Sequence, residues 1–267
     1  MGLKNVVIFL ISLAICQYVQ SLPTIRSTSG NYPNANIDDK PMNSTGIAGG
    51  NYARIGQFPF MALVTRFEDN KQYQCSGTII NIRWVLTTGS CVENPSLNIY
   101  APRHHQRFFV RKWIFTLAFG IIDSDVQDGF LRGSGVSMNT TRAFVYPSYI
   151  LGQNLYDIAL LYMPFNIPFS DTIQLIALPY TNESFANKNG LVTGWGGSKM
   201  LKYAEVSVIQ NTKCKRFGPS GSITDVSDNS VCTATGLGED ICQSGAPLII
   251  KSENGRYLQI GILVLLK

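Results

Sequence analysis

The chain has 267 residues, enough for one large domain or two modest ones. Hydrophobic residues make up 45% and charged residues only 15%, which excludes a disordered chain, a coiled coil and a fibrous repeat. The net charge of +5 is too weak and dispersed for a nucleic-acid footprint, and the only two histidines are His104 and His105, so no mechanism can use a histidine elsewhere.

Lys4 precedes an apolar run over residues 6–16. That run is too short for a membrane span of roughly 20 residues. A basic start, a short apolar core and small residues near its end (Ala14, Cys16, Ser21) read as a secretory signal peptide over 1–21. The alternative is a buried N-terminal strand. No later run reaches spanning length, so the sequence predicts a secreted, extracellular protein without a membrane span. Removal of 1–21 takes away Cys16 and leaves Cys75, Cys91, Cys214, Cys232 and Cys242. That number is odd in a compartment where cysteines pair. Asn43, Asn139 and Asn182 each head an Asn-x-Ser/Thr triplet and are candidate glycosylation sites.

Residues 22–46 are polar and punctuated by Gly, Pro and Asn, and read as a leader or propeptide. From Phe60 onward short apolar runs recur between turns: 60–65, 74–80, 84–88, 115–122, 143–146, 158–163, 175–178, 191–195, 204–209, 247–250 and 257–266. Their length and spacing predict an all-β barrel or sandwich. Residues 97–114 break the pattern as a long basic, aromatic loop. It carries Arg103, Arg107, Arg111 and Lys112 with Phe108, Phe109 and Trp113, and no acid lies between Tyr100 and Ile114. Three readings stand: a dock for an acidic glycan or protein, a solvated loop, or an error in the gene model. No Gly-rich phosphate loop opens a helix.

Several blocks carry a family resemblance, and they come in the family's order. They are Ile47-Ala-Gly-Gly50 with Gly56-Gln-Phe-Pro-Phe60, Cys75-Ser-Gly-Thr78 with Trp84-Val-Leu-Thr-Thr-Gly-Ser-Cys91, Tyr146-Pro-Ser-Tyr149 with Asp157-Ile-Ala-Leu-Leu161, Gly194-Trp-Gly196, and Cys242-Gln-Ser-Gly-Ala-Pro-Leu248. The sequence resembles the trypsin-like serine proteases over residues 47–267. The resemblance implies two antiparallel six-stranded β-barrels, about 47–165 and 166–267, with the site between them. It gives Asp157 the place of the buried carboxylate and Ser244 that of the nucleophile. It implies disulfides Cys75–Cys91 and Cys214–Cys232, and no cofactor or metal. The family partner of Cys242 lies beyond Leu266, so Cys242 is expected unpaired, and the second barrel is expected to be truncated at the C-terminus with an open edge.

The departures bear on chemistry. A serine nucleophile needs a base, a carboxylate that orients the base, and N–H groups for the oxyanion. Ser90 stands where the family has its histidine, and a hydroxyl is no base near neutral pH. Loss of the histidine from a related triad costs about 10⁶ in kcat. His104 and His105 lie in the inserted loop, and neither a reach back into the site nor zinc binding without a third ligand is expected. The family reads Cys-x-Gly-Asp-Ser-Gly-Gly-Pro. Here two residues are missing before Ser244, read as the Gly and the Asp. An oxyanion-hole N–H of that kind is worth roughly 10²–10³. Gly46 replaces the Arg or Lys at the cleavage point. Asp240 is either the acid at the floor of a substrate pocket or an ordinary loop acid, and Val264-Leu265-Leu266 replaces the Ser-Trp-Gly wall. The sequence thus predicts a secreted homologue that kept the fold and lost the chemistry. It would bind a protein or protease as a decoy, cofactor or regulator in an extracellular cascade, or serve in venom or saliva. The rivals are a trypsin-like serine endopeptidase and a glycan-binding module built on the basic loop.

Overall fold

A computed structural model describes residues 10–12, 50–68, 71–93, 113–125, 135–150, 156–180, 184–196, 198–214, 230–235 and 243–264. Among them the elements are strands with two four-residue helices, α1 (Gly89–Val92) and α2 (Asn211–Cys214). The strands are β1 (Leu10–Ser12), β2 (Asn51–Tyr52), β3 (Met61–Glu68), β4 (Lys71–Asn81), β5 (Trp84–Thr87), β6 (Phe115–Phe119), β7 (Val136–Thr140), β8 (Ala143–Val145), β9 (Ala159–Tyr162), β10 (Asn189–Gly194), β11 (Lys202–Ile209), β12 (Cys232–Thr235), β13 (Pro247–Lys251) and β14 (Tyr257–Val264).

The first sheet runs β7-β6-β3-β4-β5-β9-β8, antiparallel throughout. Its two ends, β7 and β8, are separated in sequence only by Thr141 and Arg142. One bent segment therefore pairs with β6 at one end and with β9 at the other, and the sheet closes on itself. Counted as one strand, that segment makes six. Thr140 Oγ1 donates to the Tyr162 carbonyl (2.6 Å) and Tyr162 N–H to the Arg142 carbonyl (2.9 Å), which hold the bend. Closure leaves no bare edge to be protected.

The second sheet orders β14-β13-β10-β11-β12, with β2 added on β11. β11 shows the alternation of a half-buried strand: Ala204, Val206 and Val208 point into the core and Glu205 and Ser207 into solvent. β1 lies parallel along the outer edge of β14, with Leu10, Ile11 and Ser12 opposite Ile262, Leu263 and Val264. With residues 1–21 in place the edge expected to be open carries a short partner, drawn from the segment that the sequence reads as a signal peptide. It is an uncharged, apolar edge, the kind that accepts an added strand.

β3 explains how the barrels join. Its side chains are buried on both faces, Ala62 and Val64 inside the first barrel and Met61 and Leu63 in a second cluster with Trp195, Leu201 and Ile249. A strand covered on both faces reads as a continuous apolar run, as residues 60–65 do. Phe58 meets Tyr203 (ring centroids 5.3 Å) and Phe60 meets Tyr257 (5.7 Å) across this seam. Thr78 Oγ1 donates to Gln259 Oε1 (2.7 Å) in the same buried layer. The run at 175–178 is no strand. Gln174 N–H donates to the Pro59 carbonyl and Ile176 N–H to that of Ile79, while the Ala177 carbonyl accepts from Gln259 N–H of β14, so it serves as a connector whose backbone is bonded to both barrels.

Candidate functional site

β5 delivers Thr87 and Thr88 to the start of α1, where Ser90 sits half-buried. The Ser90 backbone N–H donates to Asp157 Oδ1 at 2.7 Å, while its hydroxyl lies 3.2 Å from Thr88 Oγ1. Asp157 is 2% exposed. It is aimed by a sharp turn: Tyr156 has φ +60, and Ile158 N–H returns to the Tyr156 carbonyl. The structure thus brings Asp157 and Ser90 together, through the backbone of Ser90 rather than its side chain.

Cys75 and Cys91 are bonded, with sulfurs 2.00 Å and Cα atoms 6.2 Å apart. The bridge ties the end of α1 to β4. Cys232 is also in a disulfide. The Cys214 side chain, Cys242, Asp240, Asn43, Asn182, His104, His105, Arg103, Arg107, Arg111 and Lys112 lie outside the described residues. Of the aromatic residues of that basic loop, Trp113 is described. It is half-buried, with the Arg66 guanidinium 5.7 Å from its ring. Asn139 is exposed on β7.

Ser244 is half-buried in a turn pinned from three sides. Its carbonyl accepts from Ser76 N–H of β4 (3.0 Å), Gly245 N–H donates to the Leu263 carbonyl of β14 (2.9 Å), and Leu263 N–H donates to the Ala246 carbonyl (2.7 Å). The Thr87 hydroxyl donates to the Ser76 carbonyl (2.8 Å), so the end of β5 and the Ser244 turn converge on Ser76.

Two residues of the site escaped sequence reasoning. Gln243, directly before Ser244, is 6% exposed, and its Oε1 accepts from Ser76 Oγ (2.6 Å) and Trp195 N–H (2.7 Å). A neutral amide therefore does the bridging directly before Ser244, next to the point where the family's Gly and Asp are read as missing. Glu93 closes α1, its N–H donating to the Gly89 carbonyl (2.8 Å), and its Oε2 is buried without a hydrogen-bond partner. Burial pushes the Glu93 carboxyl above the usual carboxylate range, and the nearby Asp157 charge adds to the effect. An acid just after a four-residue helix carries no signal in one sequence. The buried Gln is visible in the sequence only as the residue left between Cys242 and Ser244.

Among the described residues no group of three or more His, Cys, Asp or Glu is arranged to hold a metal. No described helix is long and apolar enough to cross a membrane. A surface cleft of about 720 Å³ is lined by Asn51, Tyr52, Arg54, Ile55, Gly56, Gln57 and Tyr203, and shares no residue with the site.

The Trypsin family model matches residues 47–265. The chain belongs to the trypsin family. Its two curled antiparallel sheets are the trypsin-type pair of barrels. It is 31% identical over 82% of its length to venom serine protease Bi-VSP of Bombus ignitus, covering 61% of that protein. It is 29% identical over 82% of its length to serine proteinase stubble of Drosophila melanogaster, covering 27% of it. To the venom protease of Bombus pensylvanicus it is 28% identical over 81% of its length, covering 87% of it. The chain thus spans about a quarter of the Drosophila relative and three-fifths of the Bombus ignitus one.

Proposed function

We propose that this member of the trypsin family acts by binding rather than by cleaving peptide bonds, as a decoy, cofactor or regulator in an extracellular protease cascade. The observation that carries the reading is the hydrogen bond from Ser90 N–H to Asp157. The carboxylate that would orient a histidine base faces a residue with no basic atom, and the Ser90 hydroxyl lies beside Thr88 instead. Without a base the Ser244 hydroxyl is a poor nucleophile. Gln243 adds to the case. It holds the turn before Ser244 with a neutral amide, so no carboxylate stands there to pair with a newly cut N-terminal ammonium. The venom relatives support an extracellular setting.

The second reading is a serine endopeptidase. It is favoured by the retained, buried Asp157 and by the firmly held Ser244. One experiment separates the two. The purified chain and a Ser244→Ala control are incubated with chromogenic Arg and Lys peptides and with a fluorophosphonate probe. The binding reading expects no turnover above the control and no label on Ser244. Turnover above the control, or labelling at Ser244, would overturn it.

A further inference from the structure

β5 and β9 are paired so that Thr87 faces Ala159 at the end next to the site and Trp84 faces Tyr162 at the other end. Three residues of strand, roughly 10 Å, separate the two ends. At the far end an array of rings and guanidinium groups has formed that the site does not use. The Trp84 ring lies 4.7 Å from Tyr162 and 5.5 Å from Phe144 of β8. The guanidinium carbons of Arg83 and Arg142 each lie 4.3 Å from the centre of the same Tyr162 ring, and that of Arg142 is 5.9 Å from the Phe144 ring.

The two arginines are held differently. Arg83 donates from Nε to the Met163 carbonyl (2.9 Å) and from Nη2 to that of Pro164, which fixes its guanidinium. Arg142 is fixed through its backbone: its N–H donates to Thr140 Oγ1 (3.1 Å) and its carbonyl accepts from Tyr162. The Arg142 guanidinium is exposed and makes no hydrogen bond or ion pair among the described residues. The single ion pair recorded among them, Lys199 with Asp125, lies elsewhere. Two cations therefore share one ring, and among the described residues no acid pairs with either. Stacking on the ring orders the guanidinium before any ligand arrives. That lowers the entropy lost on binding.

We propose that Arg142 and Arg83, with Trp84, Phe144 and Tyr162, form a docking site on the outer face of the first barrel for an acidic segment of a protein partner, an Asp or Glu beside an apolar residue. Charge complementarity selects an anion. The planar fork of Arg142 has its N–H donors available and matches a carboxylate in bidentate geometry. The three half-buried rings supply apolar contact beside the guanidinium groups, which suits an apolar side chain next to the acid. Trp, Tyr and Arg are also the residue types that dominate binding energy at protein interfaces. The site is separate from Ser244 and stands whether or not Ser244 is catalytic.

The test is fluorescence anisotropy with a labelled peptide of alternating Glu and Leu, with the matching Lys-Leu peptide and heparin as comparisons. It uses the full chain, Arg142→Ala, Arg142→Lys and Arg142→Glu, and a loop variant with Arg103, Arg107 and Arg111 changed to Ala. Thermal melts establish that each variant is folded, which an exposed side chain at 142 permits. The parent and the loop variant are expected to bind the Glu-Leu peptide alike. Arg142→Ala should weaken binding about tenfold, Arg142→Glu should abolish it, and Arg142→Lys, which keeps charge but loses the fork, should fall between. The proposal is overturned if the parent does not bind the peptide, if Arg142→Glu binds as well as the parent, or if only the loop variant loses affinity. It is equally overturned if the Arg142 variants lose heparin and keep the peptide, which would make the face a glycan site.

Discussion

Gly245 is the position where a single methyl group tests how firmly Ser244 is held. Its φ is +83, and a β-carbon built there would sit 1.9 Å from the Ser76 carbonyl oxygen and 2.8 Å from Thr87 Oγ1. Neither neighbour is free to yield. The Ser76 carbonyl is held by Thr87 Oγ1, and Ser76 N–H is bonded to Ser244. In Gly245→Ala the turn must move away from β4. A left-handed non-glycine residue costs about 1–2 kcal/mol. Loss of the Ser76–Ser244 and Gly245–Leu263 backbone bonds adds about 0.5–1.5 kcal/mol each. The expected total is about 2–5 kcal/mol. Gly255 supplies the control. It has φ +79 in the β13–β14 hairpin, with nothing within 4 Å of its would-be β-carbon. Gly255→Ala therefore carries only the backbone cost. Urea unfolding of both variants beside the parent should show Gly245→Ala losing about 1–3 kcal/mol more than Gly255→Ala, at an unchanged m value. Equal losses would mean that the Ser244 turn rearranges freely, and would refute the account of a turn locked onto β4 and β14.

Three further outcomes follow from the same site. Gln243→Leu keeps the volume but strips the acceptor from Ser76 Oγ and Trp195 N–H; two buried donors left unmet cost about 1–3 kcal/mol each, so denaturant unfolding should show a loss of several kcal/mol. Glu93 binds its proton more tightly folded than unfolded, where its value is near 4.5, so its contribution favours folding at low pH and is lost as pH rises through the raised folded value. Glu93→Gln should therefore melt above the parent at neutral pH, with the advantage shrinking as pH falls toward 4.5. Ser90→His should leave ester and amide hydrolysis at the level of a Ser244→Ala control, because the residues missing before Ser244 stay missing. Hydrolysis well above that control would show that the gap before Ser244 has been misplaced.

How much of this was legible depended on distance in the chain. The strands that bury both faces, such as β3, announced themselves as unbroken apolar runs, and β11 as an alternating one. The bond between Cys75 and Cys91 was expected as what the family resemblance implies, and the structure contains it. The closure of the first barrel was expected only through the family resemblance, since nothing in Thr141 and Arg142 themselves marks it. They mark a bend only because Thr140 and Arg142 both bond Tyr162, twenty or so residues on. Residues 175–178 misled for a related reason: an apolar run signals burial, and whether its N–H groups join a ladder or reach the Pro59 and Ile79 carbonyls is decided by partners far away. The same limit hid the array around Tyr162, whose members come from β5, β8, β9 and the residues just before β5 and β8. Gln243 and Glu93 matter through what they touch, and neither residue type marks a site by itself.

The retention of Asp157 needs no catalytic explanation. A carboxylate 2% exposed is stable only where hydrogen bonds replace its lost water. The Ser90 N–H at 2.7 Å is one such replacement. It comes from the backbone, so it survives whatever side chain stands at 90. The first turn of α1 supplies that donor, and its closing bond from Glu93 N–H to the Gly89 carbonyl keeps the donor in place. Asp157 is thus part of how β5, α1 and the start of β9 are fitted together, and its removal would leave a buried N–H unmet. Ser244 is similar, since the carbonyl and amide bonding of its turn pins its backbone to β4 and β14. Two of the three positions that the family's chemistry uses are therefore also held by the architecture. The third, at 90, contributes a backbone N–H that any residue except proline would supply, so the fold placed no demand on its side chain. A histidine there could be exchanged for serine without disturbing the barrel. Under the binding reading proposed above, this asymmetry among the three positions is what the hydrogen bonding around them leads one to expect.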